Sequence, residues 1–355
     1  MPRVVVRGPR FGRLIAAAYP DFLLRPTEAA RTRLLLLARH APLEPDYACR
    51  AYCGDGGYPA YHHRLYSVLN GLGYQVATSS EPQALFGPKA AVDLVVSFLN
   101  RMPMATPEVL IAAQCAYLGL PVLGAGANVR ALAEDKWFSK LAARAAGLPT
   151  AQGAVYPTPQ ALDAPPDFPG PYFVKNRFGA ASEGVSDESI QDDWAGASRV
   201  AAALMARGMS VLVEQFAPGL DVTVPVLGGA APIVLGVVAP GSDRRGGVIT
   251  EDLKRDDPLG YAMYDPGRAS EGFLADVGAL WRAAGPIDYL RMDYRFDPAT
   301  GKRVFLEFNI CCHIGRSGAI CLAAAQWGLS QADVLAHVVE YSLGRQRHGA
   351  RRWAS

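Results

Sequence analysis

The stretch RMDYRFDPATGKRVFLEFN, from Arg291 to Asn309, predicts a β-hairpin. Two runs in which apolar and polar residues alternate flank a short turn around Thr300 and Gly301, a pattern typical of paired antiparallel strands. Side chains alternate between the two faces of a strand. One face of the first strand therefore carries three polar residues: Arg291, Asp293 and Arg295.

The return strand carries the second half of a candidate metal site. Its alternation predicts one face with Phe305, Glu307 and Asn309, and an opposite face with Leu306 and Phe308. Because strands that flank a short turn are paired, Asp293 is expected beside Glu307 and Asn309. Two carboxylates and an amide offer only oxygen ligands, which Mg²⁺ prefers, and proteins usually hold Mg²⁺ with one or two carboxylates plus substrate phosphates.

A solvated polar face on an edge hairpin is the alternative explanation of this pattern. In FLEFN, however, Glu307 stands between large apolar residues, and an unpaired charge buried in such a strand is costly. The pattern therefore favours a magnesium site for a nucleotide, with Asp293, Glu307 and Asn309 as its ligands.

The composition indicates a globular protein of two or three compact units. The chain has 355 residues, of which 50% are hydrophobic, so it can bury a large core, and disordered and fibrous proteins are excluded. The formal net charge is +2, and the scattered basic residues form no stripe typical of nucleic-acid binding. No apolar run approaches the roughly 20 residues of a membrane span.

Residues 1–30 are predicted to be an N-terminal extension of a cytoplasmic protein. Pro20 and Asp21 interrupt the apolar run of this arginine-rich segment, which does not fit a targeting peptide. The cysteines are few and irregularly spaced, so we expect reduced thiols and no disulfide framework.

Strands and helices alternate over residues 31–125. Strands are predicted at 34–38, 74–78, 93–100 and 121–124, with a helix at 61–72 and another that begins after Thr106 as its N-cap. This order predicts an open α/β unit with right-handed crossovers.

The order of elements changes after residue 125. A helix at 128–146 ends at Gly147, a proline-rich connection covers 156–171, and the strand YFVKN follows. Later segments are the strands VLVEQF, LDVTVPVLG and APIVLGVVAP, a polar loop at 241–266, a helix at 271–284, the hairpin and two closing helices.

Four motifs in this order resemble those of the ATP-grasp superfamily, in particular of the D-alanine-D-alanine ligases. They are AEDKWFSKLAARAAGLPT, YFVKNRFGAASEGVS, VLVEQFAPGLDVTV and the hairpin itself. The resemblance implies an ATP-grasp fold of mixed α/β and α+β class. A Rossmann-like open-sheet domain (31–125) would precede a central α+β subdomain (126–210) and a C-terminal α+β subdomain (211–346), and the two subdomains would sandwich ATP.

The resemblance also implies nucleotide contacts. Lys140 and Lys175 would contact the α and β phosphates, and the loop from Arg177 to Gly184 can present backbone N–H groups to them. The loop residues implied are Gly179, Ser182 and Gly184. Those implied for adenine and ribose are Glu214, Gln215, Phe216, Ala217, Asp221 and Leu306.

Other residues are candidates on the substrate side. By resemblance, Arg291 would hold the activated carboxylate and the transferring phosphoryl group, and Lys254 or Arg255 would close over the γ-phosphate. Further candidates for substrate binding are Arg316, Ser317, His62 and His63. The two adjacent histidines could instead be a surface pair.

The implied function is ATP-dependent ligation of a small-molecule carboxylate to an amine, with ATP and Mg²⁺ as cofactors. An acyl phosphate would be the intermediate, and ADP and phosphate would be released. We expect no nucleic-acid or membrane partner, and a homodimer is one possible assembly. Transfer to a thiol or hydroxyl, ring closure within one substrate, and small-molecule kinase activity are the open alternatives.

Three departures from the resembling ligases favour a product other than D-alanyl-D-alanine, such as another amide or dipeptide of specialised metabolism. NICCHIGRSGAI replaces their P-G-containing loop, Ala181 replaces a serine that faces substrate, and their early glutamate has no evident counterpart. In the new loop, Cys311 and Cys312 are expected to be small apolar wall residues near the substrate, neither nucleophiles nor zinc ligands.

Overall fold

A computed structural model describes residues 5–6, 23–40, 58–87, 91–100, 102, 104–179, 182–240 and 261–350. Its strands are β1 (Val5–Val6), β2 (Arg33–Leu37), β3 (Gln75–Ser79), β4 (Leu94–Ser97), β5 (Gly153–Tyr156), β6 (Tyr172–Asn176), β7 (Ile190–Gln191), β8 (Val211–Gln215), β9 (Leu220–Leu227), β10 (Ile233–Val234), β11 (Val237–Pro240), β12 (Tyr261–Tyr264), β13 (Tyr289–Phe296) and β14 (Arg303–Asn309).

The α-helices cover the strands and close the chain. They are α1 (Tyr58–Gly71), α2 (Pro107–Tyr117), α3 (Ala127–Glu134), α4 (Lys136–Ala145), α5 (Trp194–Ala206), α6 (Ser270–Ala284), α7 (Ala319–Ala325) and α8 (Gln331–Ala350). No helix in the described part of the chain is long and apolar enough to cross a membrane.

The described residues form three sheets. The first is parallel, in the order β3-β2-β4, and Val122 extends it by a bridge to Val95. The second is antiparallel, in the order β5-β8-β6-β7. In the third sheet, β13 lies between β9 and β14, while β10, β11 and β12 continue on the other side of β9.

The central strand of the parallel sheet, β2, is a run of buried leucines after Arg33, as expected for a strand covered on both faces. Leu34 and Leu36 pack in one buried cluster with α1 and α8, whereas Leu35 and Leu37 pack in another with α2. All four leucines are fully buried. The N-terminal sheet is therefore fixed against the C-terminal helices as well as its own.

The predicted N-terminal extension contributes to the third sheet. The short strand β1 pairs in parallel with β10, and Leu23 packs against the cluster that contains α8. The Leu24 N–H donates to His337 Nδ1 at 3.1 Å. The described parts of the extension are thus attached to the body of the protein.

Two predicted elements are interrupted. The single helix expected over 128–146 is two helices, α3 and α4, because Asp135 has extended backbone and accepts hydrogen bonds from the N–H groups of Trp137 and Phe138 as the N-cap of α4. The strand expected over APIVLGVVAP divides into β10 and β11, because Gly236 has φ +136° between them.

The cap predicted for α2 also differs. Thr106 occupies the N-cap position but its side chain makes no capping hydrogen bond. The Glu134 carboxylate accepts from the backbone N–H groups of Glu108 and Val109, each at 3.1 Å. The Glu134 carboxylate of α3 therefore caps the start of α2 in place of the Thr106 side chain.

The side chains of β14 do not face as predicted, because the hairpin contains a β-bulge. Asp293 pairs with Glu307 and Tyr294 pairs with Phe305, so Leu306 is the extra residue. Phe305 packs in the core with Phe308 and is fully buried, rather than sharing the face of Glu307 as expected. Leu306 is displaced from the core face and is only half-buried.

Candidate functional site

The centre of the candidate site is Asp293, in the middle of the third sheet. Because β13 pairs with β9 on one side and β14 on the other, Asp293 lies opposite both Thr223 and Glu307. Thr223 Oγ1 donates to Asp293 Oδ1 at 2.7 Å. Asn309 Nδ2 donates to Asp293 Oδ2 at 2.9 Å and lies 3.4 Å from Glu307 Oε1.

The hairpin therefore brings together the three predicted metal ligands, Asp293, Glu307 and Asn309. Strand register aligns them, so their oxygens lie on one half-buried face. Two carboxylates supply negative charge, and rotation of the Asn309 amide offers a third oxygen. This donor set fits Mg²⁺, which prefers hard oxygen ligands and leaves coordination positions for phosphates and water. In the described residues, no group of three or more His, Cys, Asp or Glu side chains forms a richer metal site.

Arg291 lies two residues before Asp293 on the same face. Arg291 Nε and Asp293 Oδ2 form an ion pair at 3.2 Å, although their alignment does not give a hydrogen bond. Burial raises the pKa of Tyr261, on β12, whereas the neighbouring charge of Arg291 lowers it. Arg291 is thus a fixed positive charge between the candidate metal ligands and a phenol.

Opposite the hairpin, two lysines share one buried carboxylate. Lys140 Nζ lies 3.0 Å from Glu214 Oε1, and Lys175 Nζ lies 2.9 Å from Glu214 Oε2. Burial alone would raise the pKa of Glu214, but the two lysines lower it to about 2. Lys140 is 0% exposed, and its Nζ makes the ion pair without a well-aligned hydrogen bond in the described structure. The predicted phosphate ligands are therefore held in place by Glu214.

The predicted phosphate loop follows β6. Gly179, Ser182 and Gly184 all have positive φ, of +87°, +61° and +76°. Among the described residues, Ser182 is the only one other than glycine that has a positive φ. A side chain at position 179 would clash with Glu183 Oε2, at 2.4 Å from the new Cβ. Left-handed backbone at these three positions turns the chain sharply, which suits a loop that presents backbone N–H groups to an anion.

Lys136, the first lysine of the motif AEDKWFSKLAARAAGLPT, joins this loop to the hairpin. Its Nζ donates to Gly179 O at 2.7 Å and lies 3.8 Å from Glu307 Oε2. Asp135 holds the start of the loop through Arg177, whose Nε donates to Asp135 Oδ1 at 2.8 Å. The helix break at Asp135 is therefore part of the site, because it places both residues against the loop.

The residues expected around the adenine lie at the junction of the second and third sheets. The half-buried Phe216 ring lies 6.5 Å from the Phe173 ring and beneath the Arg295 guanidinium, whose carbon is 5.6 Å from its centroid. Arg295 also donates to Ala217 O at 3.0 Å and pairs with Asp221 Oδ1 at 3.1 Å. Asp221, the predicted ribose ligand, is thus directed by Arg295.

The loop after β14 forms the other side of the candidate site. The rings of His313 and Tyr61 are 4.2 Å apart, and the Ile314 N–H donates to Tyr61 Oη at 3.1 Å. Burial and the neighbouring charge of Arg291 lower the pKa of His313 to about 4. The loop therefore presents a neutral imidazole near Arg291.

The predicted histidine pair is not a surface pair. His62 is 3% exposed, its ring lies 5.3 Å from Tyr61, and its Nδ1 accepts from the His40 N–H at 3.4 Å. Burial, with His40 and His313 nearby, lowers the pKa of His62 to about 4. His63, the next residue on α1, is half-buried. His62 supports the site from behind Tyr61.

The remaining predictions on the substrate side have different outcomes. Arg316 and Ser317 lie on the exposed part of the loop beyond His313. Lys254 and Arg255, as well as Ala181, lie outside the described residues.

The two adjacent cysteines face different partners. Both are buried free thiols. Cys311 Sγ lies 2.6 Å from Arg130 Nη1 and donates to Ser97 O at 3.4 Å. Burial raises the pKa of Cys312 to about 12, with Arg291 nearby acting to lower it. Cys312 thus lies near Arg291, whereas Cys311 is part of a polar contact with the N-terminal sheet; that both thiols line the substrate site stays a prediction.

Several residues of the site were not identified by motif reasoning. They are Tyr61, Asp135, Thr223, Tyr261 and His313. A sequence signal existed for Asp135, since aspartate before an amphipathic run is a common N-cap. Tyr61 and His313 come together only through the tertiary fold.

Comparison with known proteins agrees with this architecture. The chain is 30% identical to D-alanine--D-alanine ligase from Azoarcus sp. (strain BH72) over 223 residues, covering 60% of this chain and 68% of the relative. It is 30% identical to the enzyme of that name from Cereibacter sphaeroides (strain ATCC 17025 / ATH 2.4.3) over 235 residues, covering 63% and 71%. No family model matches the chain.

Solved structures show the same fold. D-alanine--D-alanine ligase from Bacillus anthracis, complexed with ATP, superposes with a TM-score of 0.68 at 16% identity, covering 90% of this chain and 99% of that one. VanG D-Ala:D-Ser ligase from Enterococcus faecalis superposes with a TM-score of 0.62 at 15% identity, covering 88% of this chain and 99% of that one. The predicted ATP-grasp fold is thereby confirmed. The chain belongs to the D-alanine-D-alanine ligase-like family of the ATP-grasp superfamily and is a carboxylate-amine ligase that forms carbon-nitrogen bonds.

Proposed function

We propose that this enzyme uses ATP to convert a small carboxylate into an acyl phosphate and transfers the acyl group to an amine, releasing ADP and phosphate. One observation carries the proposal: Arg291 and the Asp293, Glu307 and Asn309 set share one face of the third sheet. The buried lysine pair around Glu214 supplies positive charge for a nucleotide.

Each group has a role suited to phosphoryl transfer. Asp293, Glu307 and Asn309 would hold Mg²⁺, which neutralises phosphate charge when bound. Lys140, Lys175 and the Gly179–Gly184 loop would hold the phosphates, while Phe216 and Leu306 would enclose the adenine. Arg291 is always charged and can donate parallel hydrogen bonds, so it suits both the carboxylate and the transferring phosphoryl group. Most of the catalytic effect would come from position and charge.

The substrate side supports a product other than D-alanyl-D-alanine. Cys312 and His313 lie near Arg291, and Tyr61 packs on His313, where the ligases that the sequence resembles have a P-G-containing loop. Rings and a thiol on this side suit acceptors or donors with apolar or aromatic side chains. We therefore propose an amide or dipeptide of another composition.

Product analysis tests the proposal. The purified enzyme is incubated with ATP, Mg²⁺ and pairs of amino acids and other carboxylates, and ADP, free phosphate and coupled products are measured, the last by mass spectrometry. We expect ADP and phosphate in equal amounts and a condensed product. AMP and pyrophosphate would indicate an adenylate and would refute the mechanism. A phosphorylated product without free phosphate would identify a kinase.

A further inference from the structure

Arg295 is the buried cation on the polar face of β13. It follows Arg291 and Asp293 on that face at two-residue spacing, while the intervening Met292 and Tyr294 pack in the core. Arg295 is only 4% exposed, and a buried charge is costly unless partners inside the protein compensate it. Arg295 is therefore a fixed group of the site face and not a solvated surface residue.

One partner of Arg295 lies in the crossing segment (216–219), which connects β8 of the second sheet to β9 of the third. The Phe216 N–H donates to Pro171 O at 2.8 Å, which attaches the start of this segment to the second sheet. Arg295 Nε donates to Ala217 O at 3.0 Å, which attaches the next residue to the third sheet. The backbone where the two sheets meet is thus held from both sides.

The other partner of Arg295 is Asp221, at the start of β9. Strand register pairs the two residues, and Arg295 Nη1 lies 3.1 Å from Asp221 Oδ1. The Asp221 side chain is 24% exposed, whereas that of Arg295 is 4% exposed. A ligand that reaches this pair therefore meets carboxylate oxygens rather than the cation. Because aspartate has a single methylene group, the guanidinium sets where those oxygens lie.

The shape of the guanidinium joins these contacts. Its Nε serves the Ala217 carbonyl and its Nη1 serves Asp221, while its carbon lies 5.6 Å from the centroid of the Phe216 ring. A lysine in the same place has one nitrogen and no plane, so it cannot make these three contacts together. The position therefore requires an arginine and not merely a positive charge.

We infer that Arg295 is a positioning residue that makes the nucleotide site selective for ribose, an inference that rests on the proposed function. Asp221 would accept hydrogen bonds from the ribose hydroxyl groups, next to Phe216 at the adenine. A carboxylate has about four acceptor sites, so Asp221 can accept from Arg295 and from the hydroxyl groups at once. Arg295 would act through Asp221 and Ala217, away from the reacting atoms.

A pair of nucleotides tests this role without turnover. Binding of ATP and of dideoxy-ATP, which lacks both ribose hydroxyl groups, is measured by calorimetry with Mg²⁺ for wild type, Arg295→Lys and Asp221→Ala. The ratio of the two dissociation constants is the readout, because a general loosening of the site weakens both nucleotides alike. Arg303→Lys is the matched control. It makes the same change in the two-bond pair of Arg303 with Asp276, which joins the hairpin to α6.

We expect wild type to bind ATP about tenfold or more tightly than dideoxy-ATP, the scale of a hydrogen bond to a charged group. In Arg295→Lys and Asp221→Ala the two nucleotides should bind within about threefold of each other, whereas Arg303→Lys should keep the wild-type ratio.

The contrary outcomes separate the inference from the proposed function. A wild-type ratio in Arg295→Lys, beside a lost ratio in Asp221→Ala, would overturn the role of Arg295 alone. Equal binding of both nucleotides by wild type, or a ratio that Asp221→Ala leaves unchanged, would overturn the ribose assignment of Asp221 and the inference with it. A wild type that binds neither nucleotide would refute the proposed use of ATP as well.

Thermal melting verifies that each variant is folded. If Arg295→Lys does not fold, Arg295→Met takes its place, because methionine keeps the packing on Phe216 and removes both donors. The same ratio is then expected to fall to within about threefold of unity. A methionine variant that keeps the wild-type ratio would overturn the inference.

Discussion

The metal hairpin (291–309) and the ring loop that follows it (310–318) are adjacent in sequence but are built on different principles. In the hairpin, strand pairing alone places Asp293 opposite both Thr223 and Glu307. In the ring loop, two side chains are positioned by distant elements: Cys311 by Arg130, and His313 by Tyr61. The hairpin can therefore stay constant while the loop changes. We expect the hairpin to determine whether ATP is used and the ring loop to determine which substrates are joined.

The largest effect should come from Glu307→Gln, which keeps the size of the side chain and removes its charge. We expect turnover to fall by about a thousandfold or more with every substrate pair, because a metal ligand and the partner of Lys136 are both lost. The thermal midpoint without nucleotide should change little. A variant that unfolds, yet binds nucleotide normally when folded, would make Glu307 a structural residue.

Glu214→Gln should be the most destabilising change on the nucleotide side. It leaves Lys140 and Lys175 buried without their carboxylate, and breaking such a pair costs about 3–5 kcal/mol. Chemical denaturation measures the loss in the free energy of unfolding. Lys302→Gln, an exposed substitution on the hairpin turn, provides the control and should have a negligible effect.

The same carboxylate predicts a pH dependence. The pKa of Glu214 is lowered from 4.5 to about 2 in the folded protein, so its contribution to stability is complete above about pH 4.5. That contribution is lost as pH falls through about 2. Unfolding measured between pH 5 and pH 2 should therefore show a smaller decline in Glu214→Gln than in wild type. Parallel declines would contradict the assignment.

Thr223→Val should have an intermediate effect that is confined to the hairpin. It removes the hydrogen bond to Asp293 Oδ1 without changing shape. Groups that orient a metal ligand are typically worth about 10- to 100-fold in metal affinity, so the Mg²⁺ concentration for half-maximal ADP release should rise by that factor. Recovery of activity at high Mg²⁺ would distinguish this from misfolding. An unchanged Mg²⁺ dependence would show that Asp293 needs no such support.

The smallest effect on turnover is expected from Cys312→Ala in the ring loop. The thiol is buried and its pKa is raised to about 12, so it is protonated and cannot act as a nucleophile near pH 7. Turnover should stay within about tenfold of wild type, with a changed KM for the substrate that this thiol is proposed to line. Cys311→Ala should likewise stay active, and the purified protein should carry no stoichiometric zinc. A loss of about a thousandfold with folding intact would mark either cysteine as catalytic.

The same contrast explains what could be predicted from the sequence. The hairpin was predictable because a turn and a two-residue alternation set which side chains meet. The bulge at Leu306 was not, because an inserted residue leaves the alternation of residue types unchanged. The contact between Tyr61 and the ring loop joins positions 253 apart at Ile314. No local pattern encodes such a contact, since it depends on how α1 and β14 are packed together.

Arg130 joins the parallel sheet to the ring loop. Its guanidinium is 1% exposed and donates to Ala125 O, Leu123 O and Cys311 Sγ. The two carbonyl groups lie beside the parallel sheet, and Cys311 lies on the ring loop. One side chain therefore connects the parallel sheet to the ring loop. Moving the loop away from the sheet would break the contact between Arg130 and Cys311 and leave the buried guanidinium paired with Glu108. We therefore expect the parallel sheet and the ring loop to move as one body when the enzyme binds and releases substrate.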